Sequence, residues 1–229
     1  MKITWLGHSG FRIEIEGAVL LLDPWMTGNP VFPADRRAEA ISGATHVLLT
    51  HGHGDHAADA LAIATELNIP IACMHELAEI FGAEGAECIG FGKGGTVDLG
   101  GAQVTMVNAV HSSSIDFKGG VTYGGTPAGF MIAGEDHVIY VSGDTDVMAD
   151  MGVFNDLHSP DIGILACGGH YTMDMRRAAY AAKTFFDFRT VFPCHYRTFP
   201  LLAQSAAELV EALPGVDVLV PEVMQAVEI

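Results

Sequence analysis

A chain of 229 residues that is 49% hydrophobic and only 17% charged carries enough apolar material for one well-buried core, which excludes a disordered chain. Its formal net charge of −17, with just 11 Lys plus Arg, weighs against a nucleic-acid substrate, because phosphate backbones bind through cationic surfaces and counterion release. No apolar run approaches the ~20 residues that cross a bilayer, and the opening residues lack the basic and apolar regions of a signal peptide. The expectation is one domain over residues 1–229, cytoplasmic, with no membrane partner and no feature that indicates an oligomer.

Taken in chain order, Ile3-Thr4-Trp5-Leu6-Gly7 reads as a strand ending at His8. Phe11 to Glu16 alternates apolar and polar, Gly17 turns, and Ala18 to Leu22 is continuously apolar before Asp23-Pro24, which is the pattern of a hairpin. Asp23 has two readings, a turn residue before proline or a carboxylate orienting a nearby histidine. Residues 24–34, with Gly28, Pro30 and Pro33 among Trp25, Met26, Val31 and Phe32, read as a pocket-shaping loop.

The apolar stretch Val47-Leu48-Leu49 then runs into Thr50-His51-Gly52-His53-Gly54-Asp55-His56. Alternate side chains of an extended chain point the same way, so His51 and His53 project together, while Gly52 and Gly54 allow a tight bend. Asp55 and His56 then turn toward a second centre, and three imidazoles with a carboxylate suit two neighbouring metals better than one tetrahedral ion. A solvated His-rich loop would have no reason to alternate its ligands behind a buried strand. Ala57 to Leu67 has helical spacing, with Asp55 placed to serve as ligand and cap together.

Further ligands are expected at the ends of later strands. Residues 103–110 run into His111, residues 128–133 and 137–141 form a second hairpin about a Gly134-Glu135-Asp136 turn and reach Asp144, and residues 190–194 run into His195. Open α/β architectures place their chemistry at the carboxyl ends of strands. Between these lie a glycine-rich segment without regular structure, Ser112 to Pro127, and helices over Met175–Phe186, N-capped by Asp174, and Ser205–Leu213, ended by Pro214-Gly215. His170, in Gly168-Gly169-His170-Tyr171, and His8 are candidates to bind substrate or protonate a leaving group, against the plain alternative of hydrogen-bonded structural histidines. Tyr196, Arg197 and Thr198 follow the last ligand and could present one cation to an anionic substrate, although Arg197 reads first as a salt-bridge partner, and His46, His75, His137 and His158 have no positional argument. Cys73, Cys88, Cys167 and Cys194 form no Cys-x-x-Cys pair and read as reduced, buried residues; extended geometry turns Cys194 away from the face of His195.

The set His51, His53, Asp55, His56, His111, Asp144 and His195 resembles, in order, the fingerprint of the metallo-β-lactamase superfamily. The phrases Trp5-Leu6-Gly7-His8-Ser9, Leu22-Asp23-Pro24, Thr172-Met173 and 195–200 are similar to its small metal-dependent hydrolase branch, akin to ascorbate-6-phosphate lactonase-like proteins. The resemblance implies a four-layer αββα sandwich. It implies that His51, His53 and His111 hold one divalent metal, that Asp55, His56 and His195 hold another, and that Asp144 bridges them. Zinc is the first expectation, and the same donors accept Mn, Fe, Co and Ni.

A metal pair about 3.5–4 Å apart shares a water and activates it as a nucleophile, so no Ser or Cys nucleophile is needed. Asp144 and Asp55 then belong to the catalytic group as well as the ligand set. The leading expectation is a dinuclear hydrolase of a small ester, lactone or phosphodiester. Flavodiiron proteins carry Glu where His53 stands, and glyoxalase II and tRNA-processing relatives extend further beyond the last His. A persulfide dioxygenase-like iron enzyme keeps the histidines and is the competing reading, with a metal-binding protein lacking turnover as a third.

Overall fold

The computed structural model describes residues 1–229, and its elements follow the hydrophobic pattern closely. The strands are β1 (Lys2–Gly7), β2 (Gly10–Ile15), β3 (Ala18–Leu22), β4 (His46–Leu48), β5 (Ile71–Met74), β6 (Cys88–Phe91), β7 (Thr96–Leu99) and β8 (Ala102–Asn108). They continue as β9 (Ser114–Phe117), β10 (Gly120–Tyr123), β11 (Ala128–Gly134), β12 (His137–Val141), β13 (Ile162–Ala166), β14 (Thr190–Cys194), β15 (Asp217–Val218) and β16 (Ala226–Glu228). The helices are α1 (Arg37–Ile41), α2 (Gly54–Ala57), α3 (Ala60–Leu67), α4 (His75–Ala83), α5 (Asp150–His158), α6 (Met175–Phe185) and α7 (Ala207–Ala212).

Two seven-stranded mixed sheets form, in the orders β16-β1-β2-β3-β4-β5-β6 and β15-β14-β13-β12-β11-β8-β7. Strands buried on both faces explain the continuous apolar runs, since each side chain of the run meets a different core. In the first sheet Trp5, Leu20, Leu22, Leu48 and Ala72 belong to the core shared with the second sheet. Their neighbours Leu6, Leu21, Val47, Leu49, Ile71 and Cys73 pack instead with Ala60, Ile63, Leu77 and Phe81 of α3 and α4. Each such buried Leu or Ile stabilises the fold by about 1.5–3 kcal/mol. Helix α6 covers the other sheet through Ala178, Ala179 and Ala182, completing the expected αββα sandwich.

Both predicted hairpins form. The β2–β3 turn is Glu16-Gly17 and the β11–β12 turn is the two residues Glu135-Asp136, rather than the three expected from Gly134 onward. All four turn residues have positive φ, the two-residue turn whose twist matches the flanking strands. The two turns lie against each other: Glu16 N–H donates to Glu135 Oε1 at 2.8 Å and Glu135 N–H to Glu16 Oε1 at 2.5 Å. These reciprocal bonds offset the strain of a turn that has no glycine at either position.

Other expectations need correction. Ser112 to Pro127 is not without regular structure; β9 and β10 pair across a Lys118-Gly119 turn, because its alternating Ile115, Phe117, Val121 and Tyr123 favour strand pairing. The helix expected over Ala57–Leu67 is broken after Ala57 and restarts at Ala60. The N-cap of α2 is His53, without a side-chain cap, so Asp55 sits in the first turn and turns its carboxylate to His8 instead. Asp174 does cap α6, accepting from Arg177 N–H at 2.7 Å.

Candidate metal centre

Parallel pairing of β3, β4 and β5 in one sheet and of β12, β13 and β14 in the other places their carboxyl ends on one edge of each sheet. Strand β1, antiparallel to β2 and hence parallel to β3, ends at the same edge and delivers His8. The loops leaving β4, β8, β12 and β14 bring His51 to His56, His111, Asp144 and His195 together across the gap between the sheets.

The ligand atoms of His51, His53 and His111 lie within 4.8 Å of one another, and those of His8, Asp55, His56 and His195 form a second such group. Asp144 stands between them. Its Oδ2 is 3.6 Å from His111 Nε2 and 3.9 Å from His51 Nε2 on one side, and 3.3 Å from His56 Nε2 and 3.1 Å from His195 Nε2 on the other. His51 Nε2 and His53 Nδ1 face each other at 3.0 Å.

These residues fit divalent metals. His56 Nε2 and Asp144 Oδ1 are buried without a hydrogen-bond partner, a cost of about 1–3 kcal/mol each unless something coordinates them. Asp23 Oδ2 lies 2.8 Å from His56 Nδ1. A carboxylate only accepts, so the His56 proton sits on Nδ1 and leaves the Nε2 lone pair directed at the centre, the usual orientation of a ligating histidine. Asp23 also accepts from the Thr50 N–H and hydroxyl, which tie it to the strand leading into His51.

The electrostatics divide the site. Burial holds His51 well below its ordinary pKa, and also lowers His53 and His111, so this trio is neutral and able to donate lone pairs. Burial opposes charge on His56 as well, but the Asp144 and Asp23 carboxylates outweigh it and favour a positive charge there, a second proton on Nε2 that a bound cation would displace. Burial likewise opposes ionisation of Asp144, yet His195 and His56 keep its carboxyl well below the ordinary range. Asp144 therefore stays ionised between the two groups and supplies negative charge that a dication requires.

The sequence matches the family described as Beta-lactamase superfamily domain over residues 19–196. The chain belongs to the metallo-β-lactamase superfamily. Among curated relatives it is 66% identical to a UPF0173 metal-dependent hydrolase of Dinoroseobacter shibae, over 100% of both chains. A solved metallo hydrolase from Ignicoccus hospitalis superposes with a TM-score of 0.85 at 32% identity, covering 99% of this chain and 97% of that one. An isothiocyanate hydrolase from Delia radicum gut bacteria shares the superfamily fold, with a TM-score of 0.79 at 20% identity over 100% of this chain and 99% of that one.

Around this superfamily centre the remaining candidates separate. His8 is fully buried, with Nε2 3.0 Å from Asp55 Oδ2 and Nδ1 2.8 Å from Thr198 Oγ1. Burial pulls its pKa down to about 4, so it is neutral and donates from Nε2 to Asp55. His170 is not brought to the ligands: it is exposed, with its ring edge-on to Tyr171 at 4.4 Å, and Tyr171 lines the cleft in its place. Arg197 turns away, toward Glu222 at 3.8 Å and over the Trp5 ring at 5.9 Å. Cys194 is buried outside the ligand groups, and His137 pairs with Asp161.

Two residues hold the site in ways that the sequence did not show. Thr198 orients His8, and Asp59 accepts from Met26 N–H, Thr27 N–H and the Thr27 hydroxyl at 2.7, 2.8 and 2.6 Å, fastening the 24–34 loop. The detectable signal for Asp59 was its place three residues after His56, one turn of helix along.

Proposed function

We propose that this chain is a dinuclear metal-dependent hydrolase of a small ester, lactone or phosphodiester. The observation that carries the reading is the single Asp144 oxygen within 3.9 Å of imidazole nitrogens from both ligand groups. His51, His53 and His111 would hold one ion, Asp55, His56 and His195 the other, and Asp144 both, with zinc first among the metals these donors accept. Two such ions supply Lewis acidity and an acidified water at neutral pH.

The chain's own side chains do the rest. Asp144 fixes the separation of the two ligand groups and accepts a hydrogen bond from the attacking water. Asp55 binds in the second group and is held in place by the His8 N–H, itself set by Thr198. Full burial keeps His8 from the substrate, so it positions Asp55 rather than protonating a leaving group. His170 is exposed and outside the ligand groups, so the reading assigns it no ligand role. The strongly acidic chain has no cationic surface for RNA or DNA, and its substrate is a small molecule met in the cytoplasm.

Elemental analysis of protein purified without added metal is expected to give two ions per chain when the site is full. Metal-replete enzyme is expected to hydrolyse members of a panel of chromogenic esters, lactones and phosphodiesters without nucleotide or flavin, and to leave RNA intact. His53→Ala and Asp144→Ala should abolish that turnover with circular dichroism preserved. A full site that stops at one iron, with persulfide-dependent oxygen uptake and no hydrolysis, would move the chain to the oxidoreductase class.

A further inference from the structure

The cleft above the ligand groups has a volume of about 400 Å³ and is lined by eight residues, none of them Lys or Arg. Arg197, the one cation close in sequence to a ligand on this side, points to Glu222 and Trp5 instead. Five of the eight are the ligand candidates His53, Asp55, His111, Asp144 and His195, and the rest of the wall is Ser112, Tyr171 and Phe199. Phe199 and Tyr171 line the cleft, and Trp25 stacks on Phe199 with centroids 5.8 Å apart and planes 28° from parallel.

The Trp25 side of this wall is held in place. Trp25 Nε1–H donates to Thr27 O at 2.9 Å, and Asn29 Nδ2–H donates to Trp25 O at 3.1 Å. Asp59, 6% exposed, spends its carboxylate on residues 26 and 27, next to Trp25 and away from the ligands. Preorganised aromatic surface of this kind binds flat or apolar groups at little entropic cost. A negative charge lodged against it would meet no Lys or Arg, in a chain whose formal net charge is −17.

We infer that the part of the substrate not engaged at the ligand groups is uncharged and aromatic or alkyl, so that the natural substrate is an ester, lactone or phosphodiester with apolar substituents rather than a sugar phosphate or nucleotide. This rests on the proposed hydrolase reading for the reacting centre only.

The test compares hydroxamic acids that share one metal-binding head, titrated by calorimetry into the metal-loaded full chain. Benzohydroxamic acid is expected to bind about tenfold more tightly than acetohydroxamic acid and than 4-carboxybenzohydroxamic acid. Phe199→Ala and Trp25→Ala should bring the benzo-to-aceto ratio toward one, and Phe199→Arg should favour the carboxylate ligand. Equal or tighter wild-type binding of the carboxylate ligand, or a ratio unmoved in both alanine variants, would overturn the inference while leaving the metal reading standing. Failure of all three ligands to bind would show that the loaded centre is not open to this cleft, and would overturn the inference as well, while the metal content itself still tests the metal reading.

Discussion

Asp23 shows how much a residue outside the ligand set can decide. It is buried, its backbone is held at a φ of 42°, and its two oxygens are divided among Thr50 and His56. Left-handed φ values also occur at His8 (53°) and His195 (57°), so three residues of the centre sit in backbone conformations that cost energy unless their surroundings enforce them. Asp23→Asn would keep the shape while replacing one acceptor oxygen by an NH2 group, which favours the wrong tautomer of His56. Metal affinity should then fall by about 10- to 100-fold. Competition with a chelator, followed by elemental analysis, measures it; wild-type affinity would show that Asp23 holds Thr50 and the turn before Pro24 without setting the His56 tautomer.

At the scale of elements, the site depends on close backbone approach between the segments after β13 and β14. A Cβ on Gly168 would lie 1.8 Å from the carbonyl oxygen of His195, and Cys167 N–H bonds Cys194 O at 3.0 Å just beside it. Gly168→Ala must therefore push the His195 segment away from the centre, at a cost of about 3 kcal/mol or more. The denaturation midpoint should drop, and loading of the second ligand group should weaken even in folded protein. A midpoint and metal content equal to wild type would mean that the 195–200 segment moves freely, against its bonds from His195 N–H to His8 O and from Ala203 N–H to Gly168 O. The broken helix after His56 belongs at this scale too: residues 58 and 59 interrupt the helix so that Asp59 can reach the 24–34 loop, a tertiary demand that overrides the helical spacing of Ala57 to Leu67.

For the molecule as a whole, burial governs cysteine chemistry. Burial raises the thiol of Cys167 to about 12 and pushes Cys73 and Cys194 up as well, while Cys88 is half-buried and also raised by burial. A raised pKa means less thiolate at any pH below it, so at pH 8 the folded protein should react slowly, and mainly through Cys88, with a thiol reagent. All four cysteines should react once denaturant is added. Rapid labelling of more than one thiol in native buffer would contradict the packing of both cores. No helix in the chain is long and apolar enough to cross a membrane.

The run from His51 to His56 behind Val47-Leu48-Leu49 already identified a metal centre at a strand end, and the two hairpins with their acidic followers already described the sandwich, because strand alternation and ligand spacing are local properties that a sequence displays. His111, Asp144 and His195 could be selected from it only through the same strand-end pattern and the superfamily resemblance. What the tertiary structure decided lies between residues far apart in the chain. It is His8 facing Asp55 and Thr198 rather than the cleft, His170 left at the rim, Arg197 turned to Glu222, and Asp59 fastening the loop that carries Trp25. Their directions follow from positive-φ turns and from pairings across 25 to 190 residues. No local periodicity encodes such pairings, which become fixed only when both sheets have closed on a common core.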